Sequence, residues 1–142
     1  MSVYIPVELH KQIRNRFANC CAYCLTDESL TVKTFEFEHI TPRRAGGETV
    51  FENLCLACPS CNRYKAARQT AIDPTTGQEV PLFHPHLQAW TEYFRWNEDA
   101  TEIIGLTPTG RATITALKMN RPQMTRVRRM WGKMGEHPPK TE

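Results

Sequence analysis

Two Cys-x-x-Cys pairs, Cys21/Cys24 and Cys58/Cys61, constrain this chain more than any other feature in it. A pair at that spacing supplies half of a tetrahedral sulfur site, and 33 residues (25–57) separate the two halves. That insertion is short enough for the pairs to close over it as one zinc knuckle. Four thiolates suit a closed structural zinc, which stabilises a small unit with little other core. Cys20 and Cys55 leave the register open, because Cys55 and Cys58 also make a Cys-x-x-Cys pair.

Between the pairs stands Glu38-His39-Ile40-Thr41-Pro42, followed by Asn53 and, directly after Cys61, Asn62. A carboxylate, an amide and an imidazole suit an open site for a hard cation, so the stretch reads as two metals with separate tasks. Phosphodiester hydrolysis needs such an arrangement. An imidazole that titrates near neutrality can take a proton from water at working pH, which makes His39 the candidate general base. His39 as a further zinc ligand would be redundant beside four cysteines. Asn62 reads equally as a helix N-cap and Asn53 as a turn residue. Strict strand alternation puts Glu38 and His39 on opposite faces, so the strand must end or twist before Pro42 for both to reach one phosphate.

With Gly46-Gly47, Leu54 and Lys65 added in order, these residues resemble the HNH endonuclease motif over roughly the first half of the chain. The resemblance implies a ββα-metal core with a structural zinc on Cys21, Cys24, Cys58 and Cys61. It implies a catalytic divalent cation, magnesium, manganese or another, held by Glu38 and Asn62. His39 would be the base, and Asn53 would tie down the loop and orient it. The same resemblance leaves Cys20 and Cys55 as small apolar core residues. Glu38 stands where Asp is commoner and Asn62 where the motif's last His would be. Both ligate through oxygen, so the departures bear on the preferred metal more than on activity.

The rest of the chain reads as an α+β protein. Pro6 with Leu9, Ile13 and Phe17 predicts an N-terminal amphipathic helix. Residues 32–40 predict a strand, 53–57 a second, and 62–71 a helix with Arg63, Lys65 and Arg68 on its polar sides. Asp73-Pro74-Thr75-Thr76-Gly77 is a turn and the expected boundary between a nuclease core (1–72) and a mainly helical C-terminal extension (73–142). In that extension, Leu87, Trp90 and Phe94 suggest a short helix, and Ile103 to Leu106 an extended piece. Thr107 and Pro108 open a helix to about Met119, and Pro122 opens one to about Met134 with Val127, Met130, Trp131 and Met134 inward. His84 and His86 fit a capped turn, the aromatics near Trp90 a core cluster, and Pro138-Pro139 with the final residues a disordered end.

Charge is unevenly spread. Residues 1–70 carry nine Lys/Arg and seven Asp/Glu, 71–110 one and six, and 111–142 eight and two. The basic C-terminal segment can contact phosphates while the acidic middle faces away. Candidate DNA contacts are Arg43 and Arg44 in the glycine loop, Arg63 and Lys65, and Arg126 and Arg129. No signal peptide or apolar run of membrane-spanning length is evident, so a cytoplasmic location is expected, where paired cysteines bind metal. The expectation is a metal-dependent nuclease acting on DNA. The alternatives are a non-catalytic zinc-knuckle nucleic-acid binding protein, or a nuclease toxin or defence component whose C-terminal half binds a protein partner.

Overall fold

Pro6 leaves its φ preset for a helix, and α1 runs Val7–Arg16 with Ile13 buried and Leu9 and Phe17 packed at its edges. A computed structural model describes residues 3–140; of the expected disordered end, residues 141 and 142 lie outside the described residues. After α1 the chain reverses through Ala18 and Asn19, at φ 53 and 60, into the first cysteine pair.

Strands β1 (Glu36–His39) and β2 (Leu54–Ala57) pair antiparallel, with Glu36 opposite Ala57 and His39 opposite Leu54. Strand β1 is shorter than the alternating stretch predicted, because Val32 is fully exposed and gains nothing by pairing. All four β2 residues are buried, so β2 is the spine of the N-terminal half. Helix α2 (Pro59–Lys65) follows at once, capped by the Cys58 sulfur, which accepts from Cys61 N, with Pro59 in the first turn. It therefore starts earlier than predicted from Asn62. It also ends earlier, where Ala66 adopts φ 49 and ψ −129.

The residues predicted as the end of that helix instead form β3 (Thr70–Ile72), paired with β4 (Glu79–Pro81). Asp73-Pro74-Thr75-Thr76-Gly77, read as a boundary, is the turn of this hairpin. Asp73 is completely buried, and its carboxylate accepts from Arg111 Nε at 2.9 Å and Arg111 Nη2 at 2.8 Å. It also accepts from Thr75 N and Thr76 Oγ1. Those partners, the Arg111 hydrogen bond first, hold its pKa well below the usual carboxylate range.

Helix α3 is a single turn (Trp90–Tyr93) that passes Phe94 into β5 (Phe94–Trp96), paired with β6 (Ile103–Gly105). Helix α4 (Pro108–Ala116) opens on Thr107, whose hydroxyl accepts from Gly110 N at 2.9 Å, as the sequence predicts. Helix α5 spans Pro122–Lys133, but its inner face differs from the prediction. Met130 and Met134 are exposed, while Arg128 is 1% exposed. The Arg128 guanidinium donates to the carbonyls of Thr101 (2.9 Å) and Met119 (2.8 Å) and lies over Trp96. Just before the expected disordered end, the His137 Nε2 lies 2.8 Å from Ala100 O, which packs the segment against the β5–β6 turn.

One core cluster runs from Ile13 through Cys21, Leu54, Phe83 and Phe94 to Met119. Trp90 Nε1 donates to Tyr23 O at 2.8 Å, and His86 Nε2 bonds Leu54 O at 2.7 Å, so the C-terminal half is stitched to the N-terminal half. His84 caps its own turn through Nδ1, as expected.

The Asp73 pairing gives a pH-dependent prediction. A carboxyl whose folded pKa is depressed stabilises the fold above its unfolded pKa and loses that contribution as pH falls through the folded value. Asp73→Asn should therefore lower the thermal midpoint at pH 7, and the gap should narrow as pH falls below the ordinary carboxyl value of about 4 and close only near the depressed folded value. A midpoint unchanged at neutral pH would remove the ion pair from the determinants of stability.

Candidate metal centre and active site

The four cysteines of the two pairs meet although they come from two distant segments. Their sulfur atoms all lie within 4.8 Å of one another, and all four are buried. Cys24 Sγ and Cys58 Sγ are 3.8 Å apart. A tetrahedron with metal–sulfur bonds of about 2.3 Å has edges of about 3.8 Å, so the separation fits a cation such as zinc at the centre. The thiols do not titrate alike. Cys24 is held well below its ordinary value by hydrogen bonds with Cys21, Cys58 and Cys61. Burial pushes Cys21 up, and sharing hydrogen with its neighbours pushes Cys61 up. A divalent cation displaces those shared protons. Cys20 and Cys55 are buried apart from this cluster, as expected.

On the other side of α2 lies an open depression of about 560 Å³, where Glu38, His39 and Asn62 meet Arg43 and Arg44. Strand β1 ends at His39, which allows neighbouring residues to reach one surface despite alternation. His39 Nε2 and Thr49 Oγ1 are 2.9 Å apart. Burial lowers the imidazole pKa, and the charges of Arg43 and Lys65 lower it further, so the ring is neutral at pH 7.

The loop after β1 is tied by Asn53. Its Oδ1 accepts from Thr41 N at 2.8 Å, and its Nδ2 donates to Thr41 O at 3.0 Å and Glu48 O at 2.9 Å. Gly47 is required there, since a Cβ would stand 1.8 Å from Thr41 O. Asn53 thus holds both ends of the loop that carries Arg43, Arg44 and Thr49.

Two predicted roles change. Lys65, expected on a polar helix side, is 1% exposed, with Nζ 3.1 Å from Glu38 Oε1 and donating to Ile40 O at 2.9 Å. Its position on α2 turns it inward beside Cys61, one turn earlier, so it is not a free phosphate contact. Glu38 is likewise buried, and Tyr23 OH donates to its Oε1 at 3.0 Å. Burial pushes the Glu38 pKa up to about 7, against the opposing pull of Lys65 and Tyr23. Its Oε2 is buried and has no hydrogen-bond partner among the described residues. The Asn62 amide donates to Glu36, not Glu38, so the two expected cation ligands share the depression without touching.

Arg63, Arg126 and Arg129 are exposed as predicted. Sequence reasoning missed Thr49 and Tyr23. Nothing marks Thr49 in sequence; Tyr23, between the first two cysteines, was visible only as a knuckle residue.

Residues 21–68 match the family model of the HNH endonuclease, a span that runs from the first knuckle to just beyond α2. Over that span, about a third of its length, the chain is similar to this nuclease-type family. No curated protein and no solved structure matches the chain. Among the described residues, no helix is long and apolar enough to cross a membrane.

The sulfur cluster predicts about one zinc per chain on elemental analysis, and Cys58→Ser should lose both the metal and the folded core. Iron in place of zinc, or a folded Cys58→Ser protein, would contradict it.

Proposed function

We propose that the chain is a metal-dependent HNH endonuclease that hydrolyses DNA phosphodiester bonds, with His39 as general base. The observation that carries this reading is the convergence of Glu38, His39 and Asn62 on one open, arginine-rimmed depression. Open access suits a polymer substrate, and Arg43 and Arg44 supply positive charge for its backbone.

Glu38 and Asn62 are the residues that would hold a divalent cation such as magnesium or manganese. The buried, unpartnered Oε2 of Glu38 fits this assignment, because such an oxygen is costly unless a donor or cation meets it. When bound, the cation supplies Lewis-acid stabilisation of charge on the phosphate and on the departing oxygen.

The protein's own groups handle the proton. If Nε2–H donates to Thr49 Oγ1, the Nδ1 lone pair of His39 is left to accept a proton from the attacking water. Burial keeps that ring neutral and able to do so. Asn53 holds the loop on which Thr49 sits, and so acts as a positioning residue. Lys65 acts on Glu38 rather than on DNA. The cysteine cluster, as a zinc site, contributes stability alone. Arg63, Arg126 and Arg129 are exposed and remain available to phosphates.

A second reading, a non-catalytic zinc-knuckle module that binds nucleic acid, draws support from the Glu38–Lys65 pair. Lys65 already partners one carboxylate oxygen, so the acid has a structural role without any cation.

A plasmid-nicking assay across a divalent metal series separates the two. His39→Ala should lower the cleavage rate by ~10²–10⁴-fold while leaving DNA affinity nearly unchanged. Glu38→Ala should raise the metal concentration needed for cleavage without releasing zinc, since the two sites use different donor atoms. A wild-type chain that binds DNA but cuts in no metal would establish the binding module instead.

A further inference from the structure

Tyr64 follows Asn62 by two residues on α2, which turns its side chain about 200° away from that of Asn62. Asn62 and Ala66 line the His39 depression, whereas Arg63 and Arg121 line a separate groove of about 590 Å³ beside α5. On this flank the Tyr64 ring gathers three cations. Lys118 Nζ lies 5.0 Å from the ring centroid, the Arg63 guanidinium 5.2 Å and the Arg121 guanidinium 5.8 Å.

None of the three is paired with a carboxylate among the described residues, where the ion pairs are Arg14–Glu28, Lys65–Glu38 and Arg111–Asp73. Their placement is built into the backbone. Lys118 sits at φ 50 just past α4, Arg121 is the N-cap residue of α5, and Arg121 Nη1 donates to Lys118 O at 3.2 Å. The ring quadrupole offsets part of the repulsion among three like charges, and a polyanion would complete the balance.

We propose that Lys118 and Arg121, with Arg63 on the crest of α2, form a phosphate-binding patch for the DNA strand cut in the His39 depression. The choice of DNA as the polyanion rests on the nuclease reading. A helix with its side chains is about 10–12 Å across, so at 3.4 Å per nucleotide the patch engages phosphates roughly three nucleotides from the scissile one. The patch thus assigns the C-terminal half a substrate-binding role at its α4–α5 turn.

The test is duplex binding as a function of salt, in full-length zinc-loaded protein carrying His39→Ala to prevent cutting. Adding Lys118→Gln and Arg121→Gln should reduce the magnitude of the log-affinity versus log-salt slope by about 1.8, two contacts at about 0.9 each. Lys118→Gln alone, at an exposed position, should remove about half of that. Tyr64→Leu keeps every charge but removes the ring, and should weaken low-salt binding several-fold. An unchanged slope, or a larger loss from Arg126→Gln with Arg129→Gln, overturns the patch. If wild type cuts DNA while the slope is unchanged, the patch fails and the nuclease reading stands. If wild type binds without cutting and the slope falls, the patch stands and the nuclease reading fails.

Discussion

Four buried sulfurs join the turn after α1 to the β2–α2 junction, and the rest of the site depends on that junction. Cys58 caps α2 while Cys61 lies one turn inside it, so a cation on the cluster fixes both the start and the rotation of the helix. That rotation decides that Asn62 faces the depression, that Lys65 faces inward and that Tyr64 faces the opposite flank. A structural zinc in an isolated finger is worth about 10–16 kcal/mol, far more than a two-stranded sheet and a seven-residue helix could supply by packing. The cysteine cluster lies apart from the His39 depression, yet it sets the rotation of the helix that lines it.

Lys65 and Glu38 form the second constraint. Removing one partner of a buried ion pair typically costs about 3–5 kcal/mol, because the other charge is left unpaired. Here Lys65 also binds the carbonyl of Ile40, at the point where β1 gives way to the loop. The same lysine therefore pins the strand end, lowers the His39 pKa and partners one oxygen of Glu38, leaving the other oxygen open. A group that resembled a phosphate contact instead couples the acid and the imidazole electrostatically.

The C-terminal half contributes through desolvated polar stitches. Arg128 satisfies main-chain carbonyls at the end of α4 and in the β5–β6 turn, and Asp73 anchors the β3–β4 hairpin to Arg111 on α4. Neither residue could be recognised as buried by hydrophobic periodicity, which is why the prediction assigned Met130 and Met134 to the inner face of α5. The β3 and β5 segments were misread for a related reason. Three-residue strands are too short to display a period, and their identity comes from the partner strand.

The sequence by itself determined the pairing of the four cysteines, the ββα order of the N-terminal half and the caps at Thr107 and Pro108. Each of these rests on residue chemistry at a local spacing, which a linear chain displays directly. Tertiary structure alone decided that Lys65 turns inward to Glu38, that Asn62 meets Glu36, that Thr49 reaches His39 and that Lys118 and Arg121 gather on Tyr64. Those pairings depend on the rotation of α2 and on burial, and a charged or hydroxyl side chain carries no mark in sequence of which neighbour will desolvate it.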